Sequence, residues 1–194
     1  MKALAILALA VLLLTGCAST PTTAASSPPN DYTAPPTGDG TTPTPEPSGP
    51  GTYMVGIKGA TVLMEVPDSA GPDAETIAVL QSAGVTPGSW IKADLDNRKG
   101  QDAAVLNVVG LSTPDGKRVE YKSLPVVTNT VQTSGMTSDV QRRYVTWSNA
   151  QKASAQAGER VTVWLMSTTP TPSGFVRVDA ASGTAGPFTK AAKQ

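Results

Sequence analysis

From Tyr53 onward, apolar and polar residues alternate with the two-residue period of half-buried strands. Tyr53, Val55 and Ile57 form one such set, and Val62, Met64 and Val66 the next. Between Trp90 and Asp96, Ile91, Ala93 and Leu95 point one way while Lys92, Asp94 and Asp96 point the other. Ala104 to Leu111 is apolar on both faces, as a central strand is. Thr113-Pro114-Asp115-Gly116 then supplies a turn, because Pro fixes φ and Gly tolerates φ > 0. With Val119 and Tyr121 beyond it, residues 104–121 read as a hairpin. Val161, Val163 and Leu165 mark another strand with Trp164 opposite, and Phe175 to Val178 reads as the last. Two segments read as helix. Asp73 to Ala83 has Pro72 near its start and Gly84 just past its end. Ser138 to Gly158 has capping-box spacing at Ser138 and Gln141, with Val140, Tyr144 and Trp147 on one helical face. The pattern predicts a mostly β sandwich with one or two short helices over residues 52–181, and a flexible tail over 182–194.

The first 51 residues follow other rules. Met1-Lys2 is a short basic start, and Ala3 to Leu14 is an unbroken apolar run of about 12 residues, a signal core too short for a membrane span of roughly 20. The sequence Leu14-Thr15-Gly16-Cys17 follows and resembles the bacterial lipobox. The resemblance implies cleavage between Gly16 and Cys17 and acylation of the Cys17 thiol. The mature chain is then expected to be held by its lipid on the extracytoplasmic face of the cell membrane. Ala18 after the cysteine resembles the outer-membrane signal of two-membrane cells. Residues 17–51 are dominated by Pro, Thr, Ser and Gly, with Tyr32 the only large apolar residue before Gly51. Such a stretch buries too little to offset its ordering entropy, and is expected to be a disordered, extended stalk reaching up to roughly 100 Å. Its Thr/Ser/Pro content also permits O-glycosylation.

Composition narrows the chemistry. The chain carries 15 basic and 15 acidic residues, a balance that gives no field for nucleic acid. It has no histidine, so the commonest general base and metal ligand is missing. Cys17 is the only cysteine, so no intrachain disulfide forms. No cofactor motif is present, and none is expected.

Three stretches carry a second resemblance: Ile91 to Asn97, Pro114-Asp115-Gly116-Lys117, and Ala157-Gly158-Glu159-Arg160 running into Val161 to Trp164. Together they resemble the telokin-like, immunoglobulin-like sandwich domains of Gram-positive surface lipoproteins. The likeness covers about residues 88–168, with residues 123–150 as a departure. It implies an immunoglobulin-like β-sandwich in an extracytoplasmic setting, with protein binding as its use. It transfers no catalytic residue.

Candidate sites are few. Ser89-Trp90-Ile91-Lys92 has the Ser-x-x-Lys spacing of penicillin-binding enzymes. On a strand, however, positions three apart face opposite sides. Asp94, Asp96 and Asp102 gather carboxylates near a turn and are candidate calcium ligands, although Arg98 stands where an acidic or amide residue would be wanted. The basic pairs Arg98-Lys99 and Lys117-Arg118, with Arg142-Arg143, are candidate binders of an anionic polymer if two of them converge. Trp90, Trp147 and Trp164 read as core anchors rather than a carbohydrate platform, and the methionines as core filler. The expected function is a non-enzymatic binding module displayed on an anchored stalk, meeting an envelope or cell-surface protein or polymer. The alternatives are a surface-exclusion lipoprotein encoded by a phage or plasmid, and an envelope hydrolase using Asp94/Asp96 or Glu65/Glu120.

Overall fold

The computed structural model describes residues 49–194. Gly16, Cys17, the signal segment and the stalk up to residue 48 lie outside the described residues. In chain order the strands are β1 (Gly51–Ile57), β2 (Ala60–Asp68), β3 (Ser89–Asp96), β4 (Ala104–Val105), β5 (Val108–Ser112), β6 (Arg118–Ser123), β7 (Ser154–Ala155), β8 (Arg160–Ser167), β9 (Arg177–Ala181), β10 (Thr189–Lys190) and β11 (Ala192–Lys193). Three helices interrupt them: α1 (Ala74–Ser82), α2 (Leu124–Thr128) and α3 (Ser138–Ala150). The fold is mostly β and sandwich-like, as the alternation predicts.

Nine strands form one antiparallel sheet, ordered β10-β9-β5-β6-β8-β3-β2-β1-β11, while β4 and β7 make a separate two-residue ladder. The long sheet behaves as two layers. One is β1-β2-β3-β8, paired along nearly full strands. The other is β6-β5-β9-β10. At one seam β6 meets β8 through only Lys122↔Met166 and Ser123↔Leu165. At the other, β10 pairs with β9 and β11 pairs with β1, so a single stretch of chain ties the two sheet ends together. Ala191, buried between β10 and β11, donates its N–H to Val178 O at 2.8 Å.

The period-two alternation decides which side chains enter. Tyr53, Val55, Val62, Met64, Ile91, Leu95, Val163 and Leu165 point inward from the first layer, and Val109, Leu111, Tyr121 and Val178 from the second. Each is nearly or wholly shielded from water. At roughly 1.5–3 kcal/mol for each fully buried large apolar side chain, this cluster is the main stabilising contribution. The β1–β2 hairpin turns through Lys58 (φ 48°) and Gly59 (φ 84°), the two-residue pattern whose twist matches its strands.

The helices cover part of the outer face. They bury Met166 of β8 and pack on Trp90 and Trp164, which meet edge to face at 6.3 Å. Asp73 caps α1 by accepting from Thr76 N (2.8 Å). Trp147 Nε1 donates to Thr76 Oγ1 (3.1 Å), and the Tyr144 hydroxyl donates to Thr128 O (2.9 Å), tying α3 to α1 and α2. Among the described residues no helix is long and apolar enough to cross a membrane.

Five expectations need correction. The central strand expected over Ala104 to Leu111 breaks in two: β4 pairs with β7, and only β5 forms the hairpin with β6. The stretch expected to be a flexible tail over 182–194 contains β10 and β11, whose pairing closes the sheet. The strand near Phe175 begins only at Arg177 and is not the last. Phe175 instead buries its ring against Tyr53, 6.3 Å between centroids. The helix over 138–158 stops at Ala150, and Thr137, not Ser138, takes the N-cap position without a side-chain hydrogen bond. Gly51, assigned to the stalk by composition, already belongs to β1.

One buried polar residue fixes the end of β3. Asn97 is wholly buried, and its Nδ2 donates to Asp102 O (2.8 Å) and Ala155 O (2.9 Å). Its backbone N–H donates to Glu159 O (2.8 Å), and its carbonyl accepts from Gly100 and Gly158. Oδ1 has no N–H or O–H donor and lies against Gly100, where a Cβ would collide with it.

Gly100→Ala is therefore expected to destabilise the domain by about 1–3 kcal/mol, the usual cost of overpacking, seen as a lower urea midpoint with an unchanged slope. Truncation after Phe188 is expected to lower the thermal midpoint. It should also accelerate amide exchange at Met54 and Ala180, whose strand partners Ala192 and Thr189 it removes. Unchanged exchange at both positions would show that the closing strand is dispensable.

Candidate functional site

The helices leave the far half of the β1-β2-β3-β8 outer face uncovered, and a groove of about 650 Å³ lies there. The strand alternation that buries Ile91, Ala93 and Leu95 turns Asp94 and Asp96 outward. Met54 and Leu63, directly paired across β1 and β2, give the groove an apolar floor; they are 40% and 43% exposed. Gly59 and Thr61 keep the adjoining surface low, and Arg98, Lys99 and Arg160 form its charged wall with the two aspartates.

The charged groups are locked in pairs. Arg160 Nε donates to both oxygens of Asp94 at 2.8 and 2.9 Å, and Nη2 adds a further bond. Arg98 holds Asp96 through Nε (3.0 and 3.2 Å), Nη2 (2.6 Å) and its own backbone N–H (3.1 Å). These forked bonds to the ionised form draw both carboxyls below the ordinary carboxylate range. Lys99 makes no ion pair within 4.0 Å, so it is the wall's free cation among the described residues.

The carboxylate triad does not assemble as a calcium site. Asp94 and Asp96 are engaged by guanidinium groups, and Asp102 is exposed on the following loop, contributing its backbone carbonyl to Asn97. Among the described residues no group of three or more acidic, His or Cys side chains is placed to hold a metal. The basic pairs also stay apart. Arg98 and Lys99 follow the end of β3 that faces Arg160. Lys117 and Arg118 lie past the opposite end of β8, as the Lys122↔Met166 register requires. Lys117 pairs with Asp115 at 2.8 Å, and that lysine with Thr113 holds the Asp115 carboxyl at about 2.

Arg118 lies across the outer face of β5 over Gly110, where any side chain would collide with it. Its Nη1 donates to Asp179 Oδ2 (2.8 Å), and the Phe188 ring caps the guanidinium at 4.0 Å. Arg177 Nε donates to the other oxygen of the buried Asp179 at 2.5 Å. This cluster fixes the loop before β10 and engages the Arg118 guanidinium with Asp179 and Phe188.

No protein-family model matches this chain, and no curated protein or solved structure matches it.

Several other sequence candidates resolve into structural roles. Ser89 faces the interior side of β3 and bonds the Tyr121 hydroxyl (2.8 Å) and Thr169 O (2.7 Å), whereas Lys92 is exposed on the outer side. Glu65 and Glu120 stand on different layers and do not meet. Trp90, Trp147 and Trp164 all belong to the helical cover. The sequence reading overlooked Arg160 as the partner of Asp94 and overlooked Leu63, and its reading of Met54 as core filler is corrected by that residue's exposure on the outer face. The last two had a signal: both are large apolar residues out of phase with the buried set on their own strands.

The folded-state pKa of Asp94 lies below its unfolded value. The Asp94–Arg160 pair therefore stabilises the fold above about pH 4 and loses that contribution as pH falls through the depressed value. Arg160→Ala is expected to raise the Asp94 titration midpoint toward about 3.9, read from its carboxyl carbon by NMR. Added salt should change wild-type stability more than that of the variant. An unmoved midpoint would remove the guanidinium as the cause.

Proposed function

We propose that this chain is an exported lipoprotein that carries a non-enzymatic binding domain on an extended stalk. Cys17 bears the lipid after cleavage at Gly16, and the stalk holds the domain away from the extracytoplasmic face of the cell membrane. The observation that supports the anchor is the order of parts: basic start, short apolar run, small residues, Cys17, then a polar Pro/Thr/Ser stretch. The binding role is supported by the groove on the uncovered sheet face. Its apolar floor of Met54 and Leu63, rimmed by fixed ion pairs and by Lys99, has the apolar-centre, polar-rim layout of an interface. The partner is then an envelope or cell-surface protein or polymer, not nucleic acid.

In the native host, the wild-type protein should incorporate labelled fatty acid and sediment with membranes. Cys17→Ala should do neither. A photo-crosslinking residue at Leu63 should capture one discrete partner from living cells, and adding Met54→Lys should abolish the adduct. Acylation of the Cys17→Ala chain would sink the anchor, and an adduct pattern no different from bulk envelope proteins would sink the binding role.

A further inference from the structure

The outer edge of β6 is left half open. Thr113 N donates to Lys117 O (2.9 Å) and Ser123 N to Asn107 O (2.8 Å). In this antiparallel ladder the odd-numbered residues of β6 thus aim their peptide groups at β5. Arg118, Glu120 and Lys122 aim theirs away from it. Lys122 finds Met166 on β8. The next place on β8 is empty, because that strand ends at Ser167 and its pairing with β6 stops at Met166. The peptide groups of Glu120 and Arg118 therefore face no strand among the described residues.

The space beside them is a groove of about 690 Å³, running along β6 between Thr168-Thr169 and the end of the helical cover. Val85, Val127 and Met166 give it an apolar wall. Natural sheets usually blunt such an edge with charged side chains or cover it with a loop. Here the large edge residue, Arg118, is drawn off across Gly110 and pinned by Asp179 and Phe188. The pinning leaves the edge sterically clear.

We propose that this edge takes an extended segment of a partner polypeptide as an added strand, continuing the line on which β8 stops. The proposal rests on the reading of the domain as a binding module and names the chemistry of its partner. Alternating N–H and C=O groups along a recessed edge are matched by polypeptide in the β conformation. A sugar polymer or a lipid headgroup does not reproduce that spacing. The added strand pairs its backbone with Glu120 and Arg118 and sets an apolar side chain over Val85, Val127 and Met166. Opposite Glu120 it favours a basic residue. It is free of proline at the two positions that donate.

The test uses the full mature chain and a peptide selected against it from a random nonapeptide library. Amides of Arg118 and Glu120 should exchange faster than those of Val119 and Tyr121 in the free protein. They should slow at least tenfold when the selected peptide saturates. N-methylation at alternate peptide positions of one parity should weaken binding at least tenfold, and at the other parity hardly at all. Glu120→Pro removes only an outward N–H and is tolerated at an edge; it should abolish binding while thermal unfolding stays cooperative. Should that variant fold poorly, the peptide methylation series tests the same backbone pairing on the unaltered protein. Failure to select any peptide, or binding that leaves both amides unprotected or ignores methylation parity, overturns the proposal. If Leu63 still captures a discrete partner in cells, the strand-addition proposal alone falls and the binding-module reading stands.

Discussion

The larger hydrophobic cluster comes mainly from one face of one sheet, with Ala104, Leu106, Ala153 and Ala155 added from around the β4–β7 ladder, and that face finds most of its cover in itself. The helices lie on the opposite, outer side, against Trp90, Trp164 and Met166. The sheet therefore folds over until the inward residues of β1, β2, β3 and β8 meet those of β5, β6 and β9. Everything else depends on holding the two layers in that relation. Along one seam the hold is two residue pairs between β6 and β8. Along the other it is the short run from Thr189 to Lys193, which changes layers at Ala191. Tyr121 adds a brace at the mouth between the layers: its hydroxyl meets Ser89 Oγ of β3 at 2.8 Å and Thr171 Oγ1 at 2.7 Å.

Closure also accounts for where open surface remains. A sheet with both ends joined offers few free edges, and the helices occupy half of its first layer's outside. Two exposed stretches of the sheet stand out, the Met54–Leu63 face and the open stretch of β6. The two differ in kind. The first offers side chains and fixed charge, and the second offers backbone. The tight Asp94–Arg160 and Asp96–Arg98 pairs suit the former to shape recognition more than to gripping an ion, because their charges are already satisfied.

Much of this fold is written locally in the sequence. The alternation at Ile91, Ala93 and Leu95, the Pro114-Asp115-Gly116 turn, and the Asp73 cap with Gly84 beyond all report on neighbours a few residues away. They predict β3, the β5–β6 hairpin and α1. The layer arrangement depends instead on pairs distant along the chain, such as Asp94 opposite Thr162 or Leu111 opposite Val178, which alternation cannot choose between. The closing strand was illegible for another reason. Ala191 is its single inward residue and is too small to contrast with its neighbours, so no apolar period shows. The charged site follows the same division. Asp94 and Asp96 are readable as an outward pair, but the guanidinium of Arg160 reaches Asp94 only through the β3–β8 register. The carboxylate triad looked plausible because sequence spacing does not reveal which cation has already claimed each member.

Gly49 has a mechanical meaning. Its N–H donates to Phe175 O (3.0 Å), and its carbonyl accepts from the Tyr53 hydroxyl (2.5 Å). Phe175 leads into the second layer, whereas Tyr53 belongs to the first. Tension arriving along the preceding chain is therefore shared between both layers before it reaches the first rung of β1. A load applied at Gly49 meets a contact between the layers before it meets the pairing of β1 with β2.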